Sequence, residues 1–369
     1  MNHPNAKEFE LKENRIYRYL DEHKYEAVVI GTQANFSWLS GGGQSNVLIT
    51  GEGADALAVI TRQSKTLVAY NMDGQRNIDE ELGGLGFDLI ITRWNEKSRE
   101  EIVLDLLKGK RFLSDIPLEG GFVSAAAFYD LHYPLTEWEI DRYRLLGKES
   151  EQIVKSVADR LAPGMKETEV AGLLMAEFSL KGYIPTVVLV GSDARNRKYR
   201  HPIPSDKTID KTLLLVLCPR KYGLHVPITR TIQFGGSLEA DLERRYEAAS
   251  RIAANCIAHT EPGVKFSAIL EMQKRLYQEL GFADEWRNHF QGGITGYIPN
   301  DSTLCFDPEA QIVEHQTFNW FITITGVNTE DTILAGKGAP EIFTRSGEWP
   351  VKPYAANGKE VWLPQILIK

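Results

Sequence analysis

The chain has 369 residues, 43% of them hydrophobic and 25% charged, with a net charge of −8. This is the composition of a globular protein long enough for two domains with substantial cores. The acidic balance and the lack of a Lys/Arg cluster argue against a nucleic-acid partner, and no apolar run approaches the ~20 residues that span a bilayer, so no membrane partner is expected.

The opening MNHPNAKEFELKENR is polar and lacks the apolar segment of a secretory leader. Cys218, Cys256 and Cys305 are too scattered for a disulfide framework and read as buried thiols. Both features set the expectation of a cytoplasmic protein.

An amphipathic helix over Glu8 to Asp21 leads into the strand EAVVIG. After NFSWLSG, the segments SNVLITG, ALAVIT and TLVAYN read as strands, REEIVLDLLKG as a helix and RFLSDI as another strand. Such alternation predicts a small α/β domain over residues 1–140. From Thr136 the texture changes: Ile140, Tyr143, Leu145, Leu146, Ile153, Val154 and Val157 recur at a helical period, and a second domain is expected over 141–369.

That second part repeats itself. PGMKETEVAGLLMAEFSLKGY begins at Pro163 and PGVKFSAILEMQKRLYQELGF at Pro262. Pro163/Pro262, Gly164/Gly263, Lys166/Lys265, Gly182/Gly281 and Tyr183/Phe282 each stand 99 residues apart. Each copy is a helix, a Pro-Gly break, a second helix ended by a glycine, and then apolar strands. Two pseudo-symmetric halves are expected to enclose a pocket lined from both strand-rich stretches. The Gly-rich SGGGQSN and QGGITGY follow neither the P-loop nor the dinucleotide spacing and read as tight turns.

Several of these segments carry a resemblance. Asn35-Phe36-Ser37-Trp38-Leu39-Ser40-Gly41, the helix-break-helix around Pro163, the helix Leu242-Glu243-Arg244-Arg245-Tyr246 and the strand Thr329-Glu330-Asp331-Thr332-Ile333-Leu334 are similar to those of the creatinase / aminopeptidase P / Xaa-Pro dipeptidase family. The resemblance implies an α/β (α+β) chain: a small creatinase-type N-terminal domain and a pita-bread domain with a pseudo-twofold repeat. It also implies a homodimer.

Peptidase members of that family bind two divalent metals through two aspartates, a histidine and two glutamates. Two hard cations need carboxylate oxygens to offset their charge and to hold a bridging hydroxide. Counted from Thr229-Arg230-Thr231, the aspartate positions fall on Val216 and Pro227. The histidine falls on Gln291 or Gly292 and the first glutamate on Phe321, while the last glutamate survives as Glu330. No Asp or Glu occurs between Lys211 and Gln233, so no small shift of register restores the pair. The expectation is a site with no metal and no cofactor.

The polar chemistry that remains is sparse. His201 matches a family histidine that, in metal-free creatinase, is understood as the acid–base group for a guanidino C–N bond; an imidazole titrates in the right range. Its alternative is an ordinary loop histidine. Arg230 could clamp a substrate carboxylate, or else pair with Glu330 or Asp331. Glu330 could accept from a substrate amine or guanidinium. His225, two residues before Pro227, reads either as a pocket group or as a core histidine; His289 lies beside the lost histidine. Gln291 and Asn319 add neutral hydrogen-bonding groups, and Tyr297, Trp320 and Phe321 add aromatic surface, which suits a small-molecule or short-peptide ligand.

Three readings stand: a metal-independent hydrolase of a small amide or guanidino compound, with His201 as acid–base and Glu330 beside it; an inactive pseudo-peptidase that binds a ligand or protein; and a metallopeptidase in label only.

Overall fold

A computed structural model describes residues 5–299 and 309–369. Its contacts divide the chain into two compact units, one running to Glu139 and including Tyr222–Leu224, the other comprising Ile140–Lys221 and His225–Lys369.

The first unit contains α1 (Ala6–His23), β1 (Ala27–Thr32), α2 (Gln33–Ser40), β2 (Gly53–Thr61), β3 (Lys65–Tyr70), the short α3 (Gly74–Arg76), β4 (Asp88–Thr92), α4 (Arg99–Leu106), β5 (Phe112–Ser114), β6 (Phe122–Val123) and α5 (Ala125–His132). The strands form one mixed sheet in the order β4-β3-β2-β1-β5-β6. Val103 and Leu107 pack on Val29, Leu57, Val59 and Val68, so α4 covers the apolar face of the sheet. NFSWLSG is helical, capped by the Thr32 side chain and stopped by Gly41 at φ 73°. SNVLITG forms no strand: Val47, Leu48 and Ile49 are exposed, and the chain only enters β2 at Gly53. Three adjacent aliphatics with no alternating polar partner leave a strand without a sided face to bury.

The second unit contains α6 (Glu137–Arg160, whose first turn precedes the division), α7 (Glu167–Leu180), β7 (Ile184–Ser192), the short α8 (Ala194–Lys198), β8 (Thr212–Lys221), β9 (Leu224–His225), β10 (Ile228–Gln233), α9 (Ala240–His259), α10 (Phe266–Glu279), β11 (Gly293–Ile294), β12 (Thr317–Ile324), β13 (Val327–Leu334), β14 (Glu341–Ile342), β15 (Val351–Ala356), β16 (Lys359–Pro364) and β17 (Leu367–Ile368). The repeat is present at the level of elements. α7 and α10 begin and end 99 residues apart, and α6 and α9 end 99 residues apart, at Arg160 and His259. The Pro-Gly breaks place Gly164 at φ 90° and Gly263 at φ 88°, a conformation that glycine adopts without strain. Lys166 and Lys265 each form an isolated bridge, to Thr208 and Gln311 respectively.

Strands from both halves join in one sheet, β11-β12-β13-β10-β8-β7, with β14, β17 and β9 along its margins. The seam between the halves is the pairing of Thr229 with Glu330. α9 packs on β12 and β13, burying Phe318, Trp320 and Ile322 on that face. Side chains of the same strands alternate to the other face, where the candidate site lies.

Candidate functional site

The antiparallel register aligns one row of residues across the sheet. Leu189 pairs with Val216, Val216 with Thr229, Thr229 with Glu330, and Glu330 with Phe321. Directly opposed residues project to the same face, so Val216 and Phe321 flank Glu330 and Thr229. The neutral side chains of Asn319, Thr323, Asn328 and Thr332 lie on this face too, two positions along their strands.

Glu330 is buried, and its carboxyl oxygens accept from Thr229 Oγ1 at 2.6 Å and Asn319 Nδ2 at 3.1 Å. Burial raises its pKa to about 7 against those two hydrogen bonds. Asn319 Oδ1 and Asn328 Oδ1 are buried acceptors that meet no donor among the described residues.

The donor set does not fit the two-cation centre that the resemblance implies. Val216 and Phe321 carry no donor atom, and Pro227 offers only a carbonyl that already accepts from Thr332 Oγ1 at 2.8 Å. Gly292 sits at φ 125°, where a Cβ would fall 2.5 Å from the Asn319 carbonyl oxygen, so no ligating side chain has room there. Gln291 is already engaged: its Oε1 accepts from Tyr277 Oη and from Thr323 N. Among the described residues, no group of three or more His, Cys, Asp and Glu is placed to hold a metal ion.

Beside Phe321 lies a second cluster. His201, exposed in the loop after α8, meets His289 with 3.0 Å between the two Nε2 atoms, the rings perpendicular at 90°. His289 and Phe290 each set their rings against Phe321, at 5.2 and 5.0 Å between centroids. Burial lowers the His289 pKa, with His201 and Arg200 adding to the effect. Two devices hold this arrangement. Arg200 ties the His201 loop to Glu285 Oε2 and Thr325 Oγ1, and the same Glu285 oxygen accepts from Thr325 N and Asn288 Nδ2, in the segment that leads to His289. Glu167, at the start of α7, accepts from Ser192 and Ser205 at the two ends of the loop.

Two sequence-predicted binding residues, Arg230 and Trp320, face away from the site, and two more, His225 and Tyr297, are buried. Arg230 follows Thr229 on β10 and so points to the helix-covered face, where it is buried. It donates to Glu151 Oε1 at 2.6 Å, Asp331 Oδ1 at 2.9 Å and the Thr344 carbonyl at 2.7 Å. Burial disfavours its charge, but Asp331 and Glu151 outweigh this and raise its pKa. It meets Glu330 only at the backbone carbonyl, so it neither clamps a ligand nor pairs with that carboxylate. Trp320 faces the same side, donating from Nε1 to Thr260 Oγ1 at 2.9 Å. His225 is a core histidine: its Nδ1 lies 3.1 Å from the Gly296 carbonyl oxygen, and burial pushes its pKa down to about 3. Tyr297 is buried as well. Cys218 and Cys256 are buried thiols, with burial pushing both up to about 12; Cys305 lies outside the described residues.

The sequence reading passed over Asn328, Thr229, Thr323, Phe290 and the Arg200–Glu285 latch. Alternation along the two strands around the Thr325-Gly326 turn would have placed Asn328 and Thr323 on the Glu330 face.

Solved structures share this fold at low sequence identity. A prolidase from Pyrococcus horikoshii OT3 superposes with a TM-score of 0.76 at 21% identity, covering 90% of this chain and 97% of that one. A Xaa-Pro dipeptidase from Bacillus anthracis gives 0.78 at 15% identity, covering 99% and 100%. The N-terminal domain of the FACT complex subunit SPT16 from Cicer arietinum (chickpea) gives 0.71 at 13% identity, covering 93% and 97%. No curated protein matches the chain in sequence. The family model for metallopeptidase family M24 matches residues 141–335, more than half of the chain and most of the repeat-bearing unit. On that match, the chain belongs to metallopeptidase family M24.

Proposed function

We propose that this chain is a metal-independent hydrolase-like member of its family, acting on a C–N bond of a small amide or guanidino compound with His201 as acid–base. The observation that carries the reading is an accessible imidazole, His201, beside a sheet face that offers acceptor oxygens. Asn319 Oδ1 and Asn328 Oδ1, with the Glu330 carboxyl between them, suit a ligand rich in N–H donors. His201 takes a proton from water as the water oxygen attacks the carbon. It then returns the proton to the departing nitrogen as the C–N bond breaks.

The test is a screen of creatine-like, amide and Xaa-Pro compounds with and without chelator. Turnover that survives chelation and falls at least ~100-fold in His201→Ala is the expected result, since a general acid–base group contributes on that order. Turnover that requires stoichiometric manganese, zinc or cobalt overturns it.

A second reading, a catalytically inactive module that binds a ligand or protein, is supported by side chains without metal-binding atoms at Val216, Pro227 and Phe321. The likeness to the FACT subunit domain is consistent with it. Saturable binding without turnover across the screen would select it.

A further inference from the structure

The geometry points to a mononuclear binding site for a late first-row divalent cation (the Zn2+, Ni2+ and Cu2+ class) at His201 and His289, two residues outside the five positions that the family's dinuclear centre would use. Their Nε2 atoms are 3.0 Å apart. With metal–imidazole bonds of about 2.0–2.1 Å, that separation subtends roughly 95° at a shared metal, between the octahedral and tetrahedral angles. The ring centres are only 4.9 Å apart, with the planes perpendicular. Two imidazoles hydrogen-bonded head-on would hold their centres farther apart, so here the ring axes are tilted off the line that joins the two nitrogens.

The surroundings of His289 supply a second, independent observation. Its Nδ1 lies within hydrogen-bond distance of the Phe290 carbonyl oxygen. A carbonyl can only accept, so Nδ1 carries the proton and Nε2 presents its lone pair. Ligating histidines are commonly oriented by such a partner. The Arg200–Glu285 latch fixes both backbone segments, so little rearrangement is needed to close the chelate. Phe290 and Phe321 pack against the His289 ring and restrict its rotation.

His201 is exposed, which gives the cation access and leaves its remaining positions to water. Two neutral imidazoles with no coordinating carboxylate select against Mg2+ and Ca2+, which demand oxygen ligands. The inference stands apart from the proposed reaction, because binding is read without substrate. Where both hold, the cation takes the Nε2 lone pair that proton transfer needs and therefore inhibits.

The experiment titrates chelator-stripped, full-length protein with Ni2+ or Zn2+ by calorimetry, and with Co2+ by visible absorption. One equivalent should saturate before any weaker binding at other histidines. Affinity should fall at least tenfold in His201→Ala and in His289→Ala, and stay within twofold in Glu330→Gln. Far-UV circular dichroism checks folding, and His289→Asn replaces His289→Ala should the latter fail to fold. No saturable equivalent, or equal affinity in the histidine variants, overturns the site. Loss of affinity in Glu330→Gln also overturns it, by locating the cation on the sheet face.

Discussion

Glu330 and Asp331 are adjacent on β13 and point to opposite faces of the sheet, which gives two carboxylates two different fates. Asp331 meets a guanidinium, whereas Glu330 meets only a hydroxyl and a carboxamide and is pushed to about 7 by burial. A carboxyl whose folded pKa lies above its unfolded value adds to stability at low pH, and the benefit is lost as pH rises through the folded value. The window here runs from about 4 to about 7, and the swing is on the order of 3 kcal/mol. Glu330→Gln should therefore gain thermal stability relative to the parent at pH 8 and show no such gain at pH 4.5, as read by melting temperature. A parallel shift at both pH values would contradict the burial argument. Arg230 behaves differently, since removing it strands Glu151 and Asp331 inside the protein. Arg230→Met should cost about 3–5 kcal/mol in denaturant unfolding, and Arg230→Lys should recover only part of it because one ammonium cannot reproduce the forked contacts. The facing of Arg230 was legible in the alternation of β10. Glu151, 79 residues earlier on a helix, was not, because nothing local couples the two.

At the scale of elements, the 99-residue offset was readable because Pro-Gly breaks and terminal glycines punctuate helices through backbone conformation alone. The row of residues across the sheet was readable for a related reason: counting from Thr229-Arg230-Thr231 lands on Val216, which the register pairs with Thr229. SNVLITG misled because β-branched composition imitates a strand where no neighbouring strand pairs with it. The meeting of His201 with His289 could not be read, because it depends on how two loops from different halves end. Gly191, on β7, bears on that meeting. A Cβ there would fall 2.5 Å from Pro202 Cγ and 2.2 Å from Asn196 Oδ1, both in the stretch around His201. Gly191→Ala should shift the His201 imidazole resonances in NMR spectra and lower any His201-dependent turnover about tenfold, the scale of a sub-ångström misplacement of a catalytic group. Unchanged resonances would show that the loop absorbs the methyl.

Across the whole molecule, two histidines buried in different units share one electrostatic condition. His132 in the first and His225 in the second are both pushed down to about 3, chiefly by burial. A group with a depressed folded pKa contributes stability that is complete above its unfolded value, ~6.5 for histidine, and lost as pH falls toward the folded one. Stability should therefore decline between about pH 6.5 and 3, and in a His225→Gln variant the decline should be shallower. Denaturant midpoints measured across that range check it; identical slopes in parent and variant would remove His225 from the account.

Gly292 has a consequence for how this chain can change. Its backbone lies so close to Asn319 and Trp320 that any side chain there collides with the strand beside it, while Gln291 next to it is already engaged by Tyr277 and Thr323. A two-cation centre on this sheet would need an acid at Val216 and at Pro227, another at Phe321, and a displaced backbone at 292. Each single step buries an uncompensated charge or strains the sheet before any cation repays it. Mutational paths toward such a centre cross a valley, whereas paths that elaborate the histidine loops stay level, so new chemistry on this sheet is expected to accumulate at its rim and not at its middle.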